Sequence, residues 1–446
     1  LLSRGYLVER DGRYFAGPDK NAGETFHALL NENKSLPMTI PAQWTNFFNG
    51  VEQGAETIEQ LTSFLQVPNL TVSRRESWCA NWNEINLGHR WVPVLLGLSQ
   101  SPLLKQFTEA DCVGETVRSW KQLPLGENLV HLLNATGVLA QANDDHRPTS
   151  IGRRVFKRGA GPFGIIQAYQ PYMENLSRIL SAGRQEVHVQ RGPNVAASQL
   201  ANRTSFEKAN NSLDRFSQDT GFSYEVYIEH ALGRGEATRQ RFERMGSALT
   251  YIGADLEQAS IDSAMQEQSN GHLPENMKFL SGADIGQPSI LLDYLSAEKV
   301  SAHHAVMVVG NGFHEVRGQT DQRVIQIFRE YHDAGLILLF TEESALCVAN
   351  LLETAWNTYH AGFKYVHERS GQGLRPAREG PPPSFGPALP MSWSECASQA
   401  GYVPLDRYTT RTRTIFPYAP KNGFNPSISV NHFFIPNGLA RDLKLI

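Results

Sequence analysis

The chain has 446 residues, 41% of them hydrophobic and 19% charged, with a formal net charge of −4. That length is enough for two or three domains with a sizeable core. The charge balance gives no footing for nucleic acid, which needs a basic face, and no run approaches the roughly 18 consecutive apolar residues of a membrane span. The four cysteines, Cys79, Cys112, Cys347 and Cys396, are scattered without a Cys-x-x-Cys pair. This argues against a zinc knuckle or disulfide scaffold and suits a reducing, cytoplasmic setting. The basic cluster Arg153, Arg154, Lys157 and Arg158 reads as a solvated surface. The opening run Leu1-Leu-Ser-Arg-Gly-Tyr-Leu-Val looks like a helix end entering a strand, and the chain is expected to be a piece of a longer protein.

In chain order, the N-terminal third is mostly helical with an internal echo. Gly5-Tyr6-Leu7, a turn at Asp11-Gly12 and Tyr14-Phe15 form the first unit. The second is a helix from Leu129, then Gly137-Val-Leu139, a polar turn at Asp144-Asp145, and Arg147-Pro-Thr-Ser-Ile-Gly152. A helix is expected from Val195 to Phe216. A β-branched and aromatic strand then runs to Glu229, followed by a turn with Gly233 and Gly235 and a helix opening near Ala237. Further strands are expected at Leu249–Gly253, Met277–Gly282, Ala305–Val309 and Gly335–Glu342, alternating with helices. That alternation is the signature of a parallel, doubly wound sheet. Gly380-Pro-Pro-Pro-Ser-Phe is a stiff loop, Ser392–Ala400 a helix, and Thr412–Tyr418 with Ser427–Pro436 a closing hairpin.

Five βα steps with an acidic residue after each of the first three strands resemble class I S-adenosylmethionine (SAM)-dependent methyltransferases, over roughly Glu225 to Pro436. The resemblance implies a Rossmann-like α/β sheet, mostly parallel with an antiparallel C-terminal strand, as a SAM-binding core at 191–446. The helix, Gly-aliphatic strand, polar turn and Pro-Thr outline is winged-helix-like, and such units serve small-molecule methyltransferases as lid or dimerisation modules. Residues 1–190 are therefore expected to form a helical, winged-helix-like lid domain. Glu229, Gly233 and Gly235 would form the loop beside the amino-acid half of SAM. Asp255, or Glu257, would accept the ribose hydroxyls, and Asp284 would lie beside the adenine, since carboxylates accept from O–H and N–H₂ groups. Asn311 is a further cofactor-binding candidate. His230-Ala231 departs from the family pattern, which commonly has another glycine there. A dinucleotide-binding domain would instead show G-x-G-x-x-G, which is absent.

A second cluster follows strands four and five, where catalytic groups sit in open α/β sheets. It comprises Asn311-Gly-Phe-His-Glu-Val-Arg317, Thr341-Glu-Glu343 and the run from Trp356 to Pro376. This pattern is similar to the metal-dependent C-methyltransferase domains of polyketide synthase loading modules. Those use mononuclear iron or manganese to methylate the α-carbon of an acyl group on an acyl carrier protein. The resemblance places a metal on His314, His360 and Gln372, with Glu343 and His367 in reserve, and makes His314, His360 and Arg375 catalytic candidates. Arg375 would bind a carboxylate bidentately or cap a carbonyl. The implied partners are an acyl carrier protein bearing an acyl-phosphopantetheine and neighbouring synthase domains. The implied reaction is C-methylation of a malonyl- or methylmalonyl-type group. A free α-keto acid, or a phenolic hydroxyl with His314 as base, is the alternative acceptor. His303 and His304 read as packed or surface histidines, His432 as a terminal-strand histidine that satisfies a backbone carbonyl, and the aromatic run Trp356, Tyr359, Phe363, Tyr365 as core or pocket wall.

Overall fold

A computed structural model describes residues 7–10, 13–16, 39–66, 78–142, 145–168, 170, 174–182, 192–345, 373–377, 388–413 and 428–446. The chain divides into two compact units, Leu1–Gln167 and Ala168–Ile446, so the 190/191 boundary read from the sequence falls within the second. Among the described residues no helix is long and apolar enough to cross a membrane.

The first unit begins with the hairpin β1 (Leu7–Arg10) and β2 (Arg13–Ala16). Among the described residues six helices follow, from Pro41–Phe48 to Gly126–Ala135, and then a second hairpin of β3 (Leu139–Ala142) and β4 (Asp145–Pro148). Both halves of the sequence echo are therefore hairpins. Thr149 ends the second by accepting the Gly152 N–H at 2.9 Å, which caps the helix Ser150–Arg158. The core of this unit is aromatic: Trp44, Phe64, Phe107, Trp120 and Phe156 are buried, and Phe107 stacks on Trp120 with centroids 5.3 Å apart.

The second unit is an eight-stranded sheet. Its strands are β5 (Val226–His230), β6 (Thr250–Asp255), β7 (Lys278–Ser281), β8 (Val306–Gly310), β9 (Ile337–Glu343), β10 (Tyr402–Pro404), β11 (Thr410–Arg413) and β12 (Ile428–Pro436). The order is β10-β12-β9-β8-β5-β6-β7, with β11 also on β12. The strands from β5 to β9 are mutually parallel, and β12 runs antiparallel to β9, His432 facing Phe340. Every residue of β5 and β9 is buried, as expected of strands covered on both faces. One face carries helices α1 (Gly192–Thr220), α2 (Glu236–Met245) and α3 (Gln258–Ser269), and the other α4 (Pro288–Ala297), α5 (Asp321–Asp333) and α6 (Trp393–Ala400).

The expected strands are all present, with shifted ends. β6 runs on through Ala254 and Asp255 because they pair with Leu280 and Ser281 of β7. The closing hairpin exists as Thr410–Arg413 against Ile428–Asn431, while the expected stretch from 414 to 418 lies outside the described residues. β10 had no sequence signal, being three residues long and ending in Pro404. The chain leaves β5 toward β6 and β7, then returns to add β8 and β9 on the other side of β5. The order thus reverses between β5 and β8, where an open α/β sheet has its ligand crevice at the strand carboxyl ends.

Candidate functional site

The turn after β5 is built on left-handed backbone. Gly233 and Gly235 have φ of +55° and +80°, and Ala231, standing where a third glycine would be expected, has φ of +57°. An alanine there bears a steric cost that glycine avoids. A Cβ on Gly235 would also come within 2.8 Å of Leu273. Glu229 is buried at the end of β5 and accepts the N–H groups of Ala237 (3.2 Å) and Thr238 (2.6 Å). It therefore closes the first turn of α2, whose amide dipoles favour an anion. Burial still outweighs those bonds and pushes its carboxyl up to about 7.

Asp255, buried at the end of β6, accepts Gly233 N–H at 3.0 Å and Glu257 N–H at 2.9 Å. It ties the glycine turn to the neighbouring strand, with Glu257 exposed just beyond it. Asp284, half-buried after β7, accepts Gly286 N–H at 2.8 Å and the Gln287 amide at 3.1 Å. These residues stand at the carboxyl ends of three adjacent strands, as the sequence order implies. His230 takes the Ala231 N–H on Nδ1 at 2.9 Å, Nε2 is buried with no partner among the described residues, and burial lowers its pKa to about 4.

On the other side of the reversal, Asn311 follows β8 with φ of +53°. Its N–H donates to Thr341 O at 2.8 Å, and its side-chain oxygen is buried with no hydrogen-bond partner among the described residues. His314 follows on the single 3-10 turn Phe313–Glu315 and is buried. Its Nδ1 lies 2.7 Å from Glu342 Oε2, and its backbone N–H donates to Glu342 Oε1 at 3.2 Å. Nε2 is 3.5 Å from Glu315 Oε1. Burial alone would lower the His314 pKa, but Glu342 and Glu315 overcome it and hold it at about 10. Glu342 was absent from the sequence candidates. Its signal was there: consecutive strand residues point to opposite faces, so one of Glu342 and Glu343 had to enter each buried face. Glu343 takes the other face and accepts the Ser429 hydroxyl at 3.2 Å.

A histidine held by a carboxylate on Nδ1 is oriented to use Nε2, either as a base or as a metal ligand. His314 fits both roles. Among the described residues no three His, Cys, Asp or Glu side chains come together as a metal site. His360, His367 and Gln372, with the aromatic run from Trp356 and the Pro-rich segment from Gly380, lie outside the described residues. Arg375 is fully buried, its Nε on Gln319 Oε1 (2.7 Å) and its Nη1 on Asp321 Oδ1 (2.5 Å) and Met391 O (3.0 Å). Its guanidinium also lies over Trp393. Of the bland readings, His303 and His304 stack on each other at 3.9 Å before β8. His432 stacks on Phe340, with no partner for Nε2 among the described residues and its pKa driven down to about 3 by burial.

No family model matches this chain, and no curated protein does. Solved structures do. A candidate O-methyltransferase from Nostoc punctiforme superposes with a TM-score of 0.51 at 8% identity, over 80% of this chain and 99% of its own. This is the methyltransferase fold. An O-methyltransferase family protein from Burkholderia thailandensis has a TM-score of 0.47 at 14% identity, over 81% of this chain and 99% of its own. The CurJ carbon methyltransferase has 0.38 at 12%, over 90% and 100%. At such identities the likeness to the Nostoc protein establishes the fold, and the chemistry has to be argued from the methyltransferase-fold site itself.

Proposed function

We propose that this chain is a SAM-dependent methyltransferase that methylates the α-carbon of a malonyl- or methylmalonyl-type thioester on an acyl carrier protein, in polyketide assembly. The observation that carries the reading is the buried His314–Glu342 pair across the strand-order reversal from the glycine turn. SAM would lie in the crevice there, its amino-acid end at Gly233–Gly235 and its ribose and adenine toward Asp255 and Asp284. Backbone N–H groups near a glycine turn and carboxylates after the next two strands suit those parts.

In the step, His314 in its neutral form takes the α-carbon's proton on Nε2, and Glu342 stabilises the imidazolium so formed. The resulting enolate attacks the sulfonium methyl from carbon; the old S–CH₃ bond breaks and S-adenosylhomocysteine (SAH) leaves. A carbon acid needs a strong base, and the two carboxylates around His314 make it one. The same carboxylates favour the protonated ring at rest, and the positive sulfonium of SAM counters this by favouring the neutral ring that the step requires. If a mononuclear iron or manganese is bound, His314, His360 and Gln372 would hold it; His314 Nε2 would then be a ligand in place of the proton acceptor, and the metal's contribution would be Lewis-acid stabilisation of the enolate oxygens.

The test is intact-mass analysis of malonyl-loaded carrier protein incubated with the chain and SAM, with metal analysis of the purified protein. A gain of one or two methyl masses, lost in His314→Gln, is expected. Methylation of a phenol or a free α-keto acid with the carrier unchanged would replace the acceptor. Equal turnover after chelation would remove the metal. Failure to bind SAH would end the reading.

A further inference from the structure

We propose that Arg375 and Gln319 are positioning residues that lock His314 onto Glu342 by bridging the turn that carries one to the strand that carries the other. The proposal rests on the reading of His314 as the proton acceptor and adds what holds it in place.

His314 stands on a one-turn 3-10 helix, whose internal bonds include Glu315 N to Gly312 O (3.1 Å) and Val316 N to Phe313 O (3.2 Å). Such a turn does not hold its shape unaided, because its hydrogen-bond geometry is poor and nucleation is costly. Beside the bonds from His314 to Glu342, two other outside residues anchor its carbonyls among the described residues. Gln319 Nε2 donates to Phe313 O at 2.9 Å, and Gly373 N–H donates to His314 O at 2.8 Å. The two anchors depend on each other, since a Cβ on Gly373 would lie 2.7 Å from the Gln319 amide carbon.

Arg375 closes the bridge. Its Nε donates to Gln319 Oε1 at 2.7 Å, which sets the amide so that Nε2 faces Phe313 O. Its backbone bridges Ser344, and its carbonyl accepts Ala345 N–H at 2.9 Å, directly beyond Glu342 and Glu343 on β9. The guanidinium is itself immobilised by Asp321, Met391 O and the Trp393 ring. One fully buried side chain thus spans from the strand end that presents Glu342 to the turn that presents His314. With Nε on Gln319 and Nη1 on Asp321 and Met391 O, Arg375 is committed to protein partners through two of its three nitrogens.

The test compares Gln319→Met, which removes both amide bonds, with Gly373→Ala, which displaces the Gln319 amide but keeps every bridging side chain. Both should lower kcat for methyl transfer to malonyl-loaded carrier protein by about tenfold or more, since sub-ångström misplacement of a reacting group has effects of that size. The KM for SAM and the Kd for SAH should stay within about twofold, because the loops after β5, β6 and β7 are untouched. Hydrogen exchange in the 313–316 turn should quicken on the order of tenfold with the rest of the sheet unchanged; this arm needs no acceptor. Unchanged exchange in that turn overturns the proposal, as does kcat within twofold, or kcat, SAH affinity and thermal midpoint falling together. If His314→Gln keeps full activity while Gln319→Met still frees the turn, the base assignment has failed and the bridge has not.

Discussion

Glu229 offers a quantitative check on how the cofactor turn is held. Its carboxyl is buried, accepts two N–H groups of the first turn of α2, and is raised from 4.5 to about 7 with burial as the leading cause. The sign follows from linkage. In the unfolded chain the group ionises above pH 4.5, while in the folded chain it keeps its proton until about pH 7. Its contribution is therefore fully present below pH 4.5 and is lost as pH rises through about 7. A rise of that size amounts to about 3 kcal/mol at about 1.4 kcal/mol per unit. Glu229→Gln resembles the protonated acid in shape and cannot ionise. Urea denaturation of both proteins between pH 4.5 and 8 should give a stability difference, wild type minus variant, that falls by about 3 kcal/mol across that window. A difference independent of pH would show that the carboxylate is ionised in the folded protein throughout, and that its bonds to α2 outweigh burial.

Three further outcomes follow from the same loops. Ala231→Gly should raise stability by about 0.5 kcal/mol, the relief of a left-handed alanine less the extra freedom of glycine in the unfolded chain; a thermal midpoint raised about 1–2 °C is the readout. Gly235→Ala should cost about 1–2 kcal/mol from its φ of +80°, with overlap onto Leu273 added, and weaken SAH binding by calorimetry. Asp255→Ala leaves the Gly233 and Glu257 N–H groups without their carboxylate. It should weaken SAH binding about tenfold or more, an unmade buried bond costing about 1–3 kcal/mol; affinity within twofold would mean that Asp255 serves neither the turn nor the ligand.

The parallel core was legible because β5, β6, β8 and β9 are apolar runs bounded by glycine, polar or acidic turns, and the period of such runs is local. β10 was not, since three residues ending in proline carry no pattern and become a strand only where β12 offers an edge. The acidic residues after the first three strands and the turn glycines were readable in order, and Ala231 could be marked as a departure. Its left-handed φ could not be known until the turn was built. His314 was singled out from its place after the fourth strand, whereas its partner was passed over for Glu343, one residue away. Strand alternation says that two neighbouring glutamates take opposite faces, but not which face holds the histidine.

The sequence by itself therefore determined the order of strands and turns, the residue types at their carboxyl ends, and the candidacy of His314 and Arg375. Only the tertiary structure decided what those side chains do. It paired His314 with Glu342 across 28 positions of chain, turned the Arg375 guanidinium inward onto Gln319 and Asp321, and set Glu229 against the start of α2. The reason is physical. Backbone preference and hydrophobic period act over a few residues, whereas a hydrogen bond between side chains depends on which strands lie side by side, and that is fixed only when the sheet closes.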